Sequence, residues 1–384
     1  MIELCSLDEC TGCGACYNIC PHHCIRMTES SEGFMSPHID SDLCVECGLC
    51  QRVCPIITPP DKADESPAVY AAWNKADKIR TTSSSGGMFY TLAYEVLSNG
   101  GAVFGVVLDK DGNVFHAKTE NTDELHLMQG SKYVQSNTKR VYQDAIKCLK
   151  EGRQVMFTGT PCQVAAMKAF TLNKDYENLL LVDIICHGVP SNKLFKDYLE
   201  KLEKEMGKID KSSFCFRRLD AWDVIPSVDS AWGCRKILPP ELNVYMRHFL
   251  ASYTFRESCY ACRFATTPRT SDITIADFWG IGKEAPFSED TSKGCSLVLV
   301  NTQKGRRYFD EIKSELYYEK RTLSEASNVN HQLYKPSYRP KQRDCAYRYF
   351  FSHNIEAIHM KYYNNPYRRF RRFCGRMLHI MHIK

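Results

Sequence analysis

Apolar and polar positions follow two different periods along this chain. Between residues 68 and 301, short continuously apolar runs alternate with segments whose apolar residues recur every three to four positions. Runs of the first kind predict buried strands at 69–73, 154–162, 179–186, 273–276 and 296–301. Segments of the second kind predict helices at 88–97, 138–150, 163–170 and 191–206, the first stopped by Asn99-Gly100-Gly101. Runs at 102–108 and 113–119 flank Asp109-Lys110-Asp111-Gly112, a hairpin signal. Strand-then-helix units from 154 to 206 predict a largely parallel sheet there, with the later strands extending or flanking it.

Before residue 68 the ordering principle is cysteine. Cys10, Cys13, Cys16 and Cys20 precede Pro21, and Cys44, Cys47, Cys50 and Cys54 precede Pro55. Each run reads C-x2-C-x2-C-x3-C-P, and the second repeats the first after 34 positions. This is the spacing of bacterial two-cluster ferredoxins, in which the fourth cysteine reaches across to the other 4Fe–4S cluster. The expected ligand sets are therefore Cys10, Cys13, Cys16 and Cys54, and Cys44, Cys47, Cys50 and Cys20. A zinc site would want C-x-x-C pairs rather than triplets. So small a unit lacks a large apolar core, and the clusters are expected to hold it together. Pro59-Pro60-Asp61 and the charged residues that follow read as a linker.

The expected fold is thus a small two-cluster ferredoxin-like domain at 1–58, a linker at 59–67 and a larger mixed α/β body at 68–334. Residues 335–384 form a basic, aromatic tail: twelve Lys or Arg stand against two acids, so the other 334 residues carry a net −5 within a chain of net +5. Arg368-Arg369-Phe370-Arg371-Arg372-Phe373 suits an anionic membrane surface, an acidic partner or a solvated helical extension that packs on the body. No nucleic-acid recognition motif accompanies it. No stretch is long and apolar enough to span a membrane, and no export signal is seen. Twenty cysteines in that setting point to a reducing cytoplasm and to metal rather than disulfides.

A second group of cysteines lies in the body. Cys162 and Cys186 each follow an apolar strand, at the end of an open α/β sheet where ligands bind. Cys259 and Cys262 form a C-x-x-C pair. Four thiols suffice for a third 4Fe–4S cluster. They equally suit a structural zinc, and either single cysteine suits a buried apolar role or a redox thiol. Cys5, Cys24, Cys148, Cys215, Cys234, Cys295, Cys345 and Cys374 belong to no motif and read as structural. His187 is a weak proton-donor candidate, otherwise a neighbour of the cysteine site.

Five segments together resemble the coenzyme F420 hydrogenase/dehydrogenase beta-subunit family: Ser83-Ser84-Ser85-Gly86-Gly87-Met88-Phe89, Gly130-Ser131-Lys132-Tyr133-Val134-Gln135-Ser136, Gly159-Thr160-Pro161-Cys162-Gln163, Cys186-His187-Gly188-Val189-Pro190-Ser191, and Cys259-Tyr260-Ala261-Cys262-Arg263-Phe264 with Ser271-Asp272-Ile273 downstream. The likeness runs from Cys10 to about Asn301. It implies FAD in the body, a third cluster on Cys162, Cys186, Cys259 and Cys262, and electron transfer through the clusters. Gly86 and Gly87 before a helix N-terminus suit a pyrophosphate. Ser85, Lys132, Tyr133, Ser136, Gly159 and Thr160 are the further FAD-site candidates. The implied function is an oxidoreductase coupling hydride transfer at FAD to single-electron transfer; a non-catalytic electron-relay subunit is the alternative. Its partner is a redox protein or a soluble hydride carrier. The deazaflavin, NAD(P)H and ferredoxin all stand as donors.

Overall fold

The computed structural model describes residues 2–63, 66–172, 174–217 and 222–364. Thirteen strands appear among them in chain order: β1 (Ile25–Glu29), β2 (Met35–Ile39), β3 (Ala68–Asn74), β4 (Ala102–Leu108), β5 (Val114–Thr119), β6 (Val155–Gly159), β7 (Leu179–Ile184), β8 (Ile209–Cys215), β9 (Ser227–Ser230), β10 (Arg235–Ile237), β11 (Ile273–Asp277), β12 (Ser296–Val300) and β13 (Leu316–Arg321). Eight form one mixed sheet in the order β13-β3-β12-β11-β7-β6-β4-β5.

The middle of that sheet is parallel, as the strand–helix alternation predicts: β4 pairs β6, β6 pairs β7, and β7 pairs β11. Each of these joins runs through a helix, which parallel neighbours require. Both flanks are antiparallel, at β4/β5 through the short hairpin and at β11/β12/β3/β13. Alternate side chains serve opposite faces. Phe104, Val155, Phe157, Leu179 and Leu181 pack with Val141, Tyr142 and Val164. Val103, Met156, Leu180 and Val182 pack with Met88, Leu92 and Phe309 on the other side. The apolar runs are continuous because both faces are covered.

Three features differ from the sequence reading. The helix expected from 138 begins at Val141. Thr138 is diverted, its hydroxyl donating to the Cys13 carbonyl at 2.8 Å. A separate three-stranded sheet, β10-β9-β8, was not legible, since its strands are short and largely polar. The segment expected as a tail from residue 335 is, in its first thirty residues, part of the body. Helices Arg343–Ser352 and Ile355–Tyr362 bury Tyr347, Phe350, Ile355 and Ile358 against Phe195 and Tyr198. Aromatic residues at helical spacing supply the burial that a solvated tail would lack. The arginine-rich run from Tyr367 onward lies outside the described residues.

The ferredoxin unit does not rest on cofactors alone, as its size suggested. Ala15 and Val53 belong to the same apolar core as Val141 and Val164, and Phe34 packs with Tyr347. The linker is pinned as well: Ala63 N–H donates to Arg269 O, and Lys168 Nζ donates to Asp61 O. Among the described residues no helix is long and apolar enough to cross a membrane.

Candidate functional site

In the ferredoxin unit each triplet curls around its own pocket, and each fourth cysteine crosses to the other. Cys10, Cys13, Cys16 and Cys54 line one pocket; Cys44, Cys47, Cys50 and Cys20 line the next. The turns that allow this need left-handed backbone. Gly14 and Gly48 have φ of 76° and 74°, each immediately before a one-turn helix that carries a later cysteine of its run. Burial pushes the Cys13 thiol up to about 12 and raises that of Cys16. Neutral thiols in a dry pocket become ligands when bound positive charge inverts that preference. The donors are all sulfur, which fits iron–sulfur chemistry.

The sequence reading passed over Cys5 and Cys24. Cys5 lines the first pocket beside Cys10 and Cys54. Cys24 lines the second, its Sγ 3.2 Å from that of Cys20. The 34-residue repeat hides both, because it maps Cys5 onto Ile39 and Cys24 onto Thr58.

The four body cysteines also converge. Cys162 stands near the N-terminus of helix Pro161–Phe170, and Cys186 just past β7. Cys259 lies within the 3-10 turn Glu257–Ala261, which Cys262 follows. All four line one cavity with Thr160, Gly188 and Arg269. Burial pushes the Cys162 and Cys259 thiols up to about 12 and raises Cys186 and Cys262. No histidine or carboxylate is among the lining residues. His187 is exposed and does not line the cavity, although both its neighbours do. Among the described residues, no three His, Cys, Asp or Glu side chains close tightly enough around a point to hold a single metal ion.

This cavity abuts the first ferredoxin pocket. Thr11, beside Cys10, lines it, and Cys13 lies within electrostatic reach of Cys162. Buried Arg256 joins the two. Its Nε donates to Cys10 O at 2.6 Å, Nη1 to Met35 O at 2.9 Å and Nη2 to Ser36 Oγ at 3.1 Å. Its own carbonyl accepts from Cys259 N–H at 3.0 Å.

The FAD-site candidates fall into two groups. Ser83 to Gly87 and Gly130 to Ser131 meet: Ser131 N–H donates to Ser84 Oγ at 2.7 Å, and Gln129 Nε2 to Ser83 Oγ at 3.2 Å. Buried Ser85 Oγ has no hydrogen-bond partner among the described residues. Lys132 Nζ donates to the Leu127 and Gln129 carbonyls, and desolvation pushes it down to about 7. The Tyr133 ring packs edge-on against Phe249, 4.8 Å between centroids.

The second group has inward roles. Gly86 is small because β3 passes over it: a Cβ there would lie 2.3 Å from Ala72 O. Gly87 starts helix Met88–Ser98 at φ 87°. Ser136 Oγ is engaged by His116 Nδ1 and Gln163 Nε2, both at 3.0 Å. A Cβ on Gly159 would lie 3.1 Å from Gln163 Oε1. Thr160 faces sulfur, with Oγ1 3.2 Å from Cys162 Sγ.

A polar cluster absent from the sequence reading lies at the C-terminal end of β11. Asp277 accepts from Arg217 Nη1 at 2.6 Å and Trp222 Nε1 at 2.7 Å. Trp222 and Trp279 stack 4.4 Å apart. Arg217 lies within electrostatic reach of Tyr133, which brings the cluster beside the 130–133 loop. Its buried Nη2 has no partner among the described residues. Nothing in the sequence linked Asp277 to Arg217, 60 positions earlier.

Residues 152–326 match the family described as the C terminus of the coenzyme F420 hydrogenase/dehydrogenase beta subunit, and residues 9–56 match the 4Fe-4S dicluster domain. The chain resembles the beta subunits of that family, behind a two-cluster ferredoxin segment. Its N-terminal part is of the kind that carries two 4Fe–4S clusters, and its body is similar to the C-terminal part of an oxidoreductase subunit. Among solved structures, a chain of the xenon-derivatised F420-reducing [NiFe] hydrogenase complex from Methanosarcina barkeri is similar at 16% identity and a TM-score of 0.47, covering 66% of this chain and 82% of that one. No curated protein matches the chain.

Proposed function

We propose that the chain is an iron–sulfur flavoprotein oxidoreductase with a third 4Fe–4S cluster on Cys162, Cys186, Cys259 and Cys262. The observation that carries this reading is adjacency: the four-cysteine cavity touches the inner ferredoxin pocket through Thr11. FAD, when bound, supplies the exchange between hydride and single-electron chemistry. The 83–87 and 130–133 loops, with Arg217, Asp277 and Trp279, are its proposed site. Ser85 Oγ and Arg217 Nη2 are the unpartnered buried polar atoms that suit a polar ligand there. Lys132, poised near neutrality, gains its proton beside an anionic group. Thr160 orients the Cys162 sulfur, while Gln163 and Ser136 hold that turn from below.

The sulfur sets form a row of body, inner and outer. The outer end is where a redox protein meets the chain. Cys47 is exposed there, flanked by Leu43 and Val45 at 56% and 60% exposure and by Asp42 and Glu46. A basic-rimmed redox protein fits that surface.

Protein purified without oxygen should carry about twelve irons per chain and release FAD on heating. About eight irons with no flavin would sink this reading and leave a two-cluster relay protein.

A further inference from the structure

Two cysteines outside every motif occupy matching corners of the two ferredoxin sites. Cys24 is buried, its Sγ 3.2 Å from Cys20 Sγ, and it shares its pocket with Cys44. In the outer set, Cys20 is the remote ligand and Cys44 the first of the triplet. Cys5 shares its pocket with Cys54 and Cys10, its strongest electrostatic neighbours. In the inner set, Cys54 is the remote ligand and Cys10 the first of the triplet. Each extra thiol therefore lines the pocket of one set, beside its first and its remote cysteine.

The chain reaches these equivalent corners by unrelated routes. Cys5 precedes its triplet by five positions, whereas Cys24 follows a remote ligand by four. A cysteine kept only as a small apolar filler has no reason to line a pocket whose other thiols are the ligand set. The same corner filled twice, against the grain of the repeat, points to the metal site.

We propose that Cys5 and Cys24 are reserve ligands, one for each ferredoxin cluster, able to replace the remote cysteine at its iron. In the exchange at the outer cluster, the iron–sulfur bond to Cys20 breaks and one to Cys24 forms. The thiol proton of Cys24 passes to the departing Cys20 thiolate. Iron and sulfide keep their oxidation states, so no oxidant or reductant is required. Such a spare thiol retains a cluster whose remote cysteine has been displaced. The inference rests on the crossed ligand sets assigned above.

The test uses the full chain, purified without oxygen, with iron per chain and the electron paramagnetic resonance spectrum of the reduced protein as readouts. Cys20→Ala and Cys54→Ala are expected to keep the parent's iron while shifting the spectrum of one cluster. Cys20→Ala/Cys24→Ser and Cys5→Ser/Cys54→Ala are expected to lose about four irons each. Cys24→Ser and Cys5→Ser alone should leave iron and spectrum as in the parent. Loss of about four irons from Cys20→Ala overturns the role of Cys24, and the same loss from Cys54→Ala overturns that of Cys5. If the alanine protein does not fold, Cys20→Val and Cys54→Val, which offer iron no donor atom, decide by the same criterion. Iron loss from Cys24→Ser or Cys5→Ser also overturns the proposal, since that thiol is then a resident ligand. A parent protein without iron condemns the cluster reading itself, which separates the two failures.

Discussion

The two copies of the C-x2-C-x2-C-x3-C-P run share their spacing and differ in everything around it. The inner triplet is buried on all three cysteines, and its loop is held by Arg256, Thr138 and Tyr142. The outer triplet has Cys50 buried, Cys44 half-buried and Cys47 exposed. Gly12 and Glu46 correspond in the repeat, and both take positive φ, 64° and 56°. A side chain on Gly12 would meet Arg256, Gln135 and Met35 at 2.8 Å, whereas Glu46 stands exposed. Spacing thus governs how sulfur wraps a cluster, while the surroundings set its hydrogen bonding and solvent access, and hence its potential. A relay needs that asymmetry, with one end shielded against the body and the other within a partner's reach.

The strongest way to break the comparison is to remove the body's grip on the inner loop. Arg256→Ala leaves the carbonyls of Cys10 and Met35 without their charged donor and should cost about 3 kcal/mol in denaturant unfolding. Iron analysis should show loss from the inner site ahead of the outer; equal loss from both would mean the two copies are held alike.

A finer contrast comes from the paired glycines. Gly48→Ala meets open space and should cost about 1 kcal/mol, the price of left-handed backbone. Gly14→Ala carries that cost plus a clash 2.6 Å from Thr138 Oγ1, for about 2–3 kcal/mol in all by thermal unfolding. Matching losses would place the two turns in equivalent surroundings.

Chelation should sharpen the difference further. Under mild oxidation, a soluble iron chelator should draw iron from the outer site several-fold faster than from the inner, as two resolved phases. A single phase would remove solvent access as the distinguishing property.

The smallest effect is expected at the rim. Arg263 pairs with Glu9 across the edge of the inner copy, but both side chains are about half exposed. Arg263→Ala should change stability by no more than about 0.5 kcal/mol, with iron content unchanged. A larger loss would mean that surface charge, rather than the buried Arg256 contacts, fastens the ferredoxin unit.

Much of the fold was open to reading because it is local. The runs at 154–162 and 179–186 betray buried strands, since a strand covered on both faces has no polar alternation to show. The cysteine sets were legible for the same reason: ligands two or three residues apart can wrap a cluster only one way. The FAD candidates fared differently. Ser136 and Gly86 look in sequence like ligand-facing residues, yet the hydroxyl of one is bound by His116 and Gln163, and the other makes room for β3. Conversely, Arg217, Trp222 and Asp277 carry no motif and form the polar cluster at the sheet edge.

By itself, then, the order of residues determined the crossed cysteine sets, the parallel centre of the sheet and the strand ends that bear Cys162 and Cys186. Each follows from spacing or periodicity within a few turns of chain. Only the folded molecule decided which triplet faces the body, that Cys5 and Cys24 reach matching corners, and that residues 343–362 belong to the core. Those outcomes depend on partners as remote as Cys10 and Arg256, 246 positions apart, and packing at that range leaves no periodic mark on the sequence.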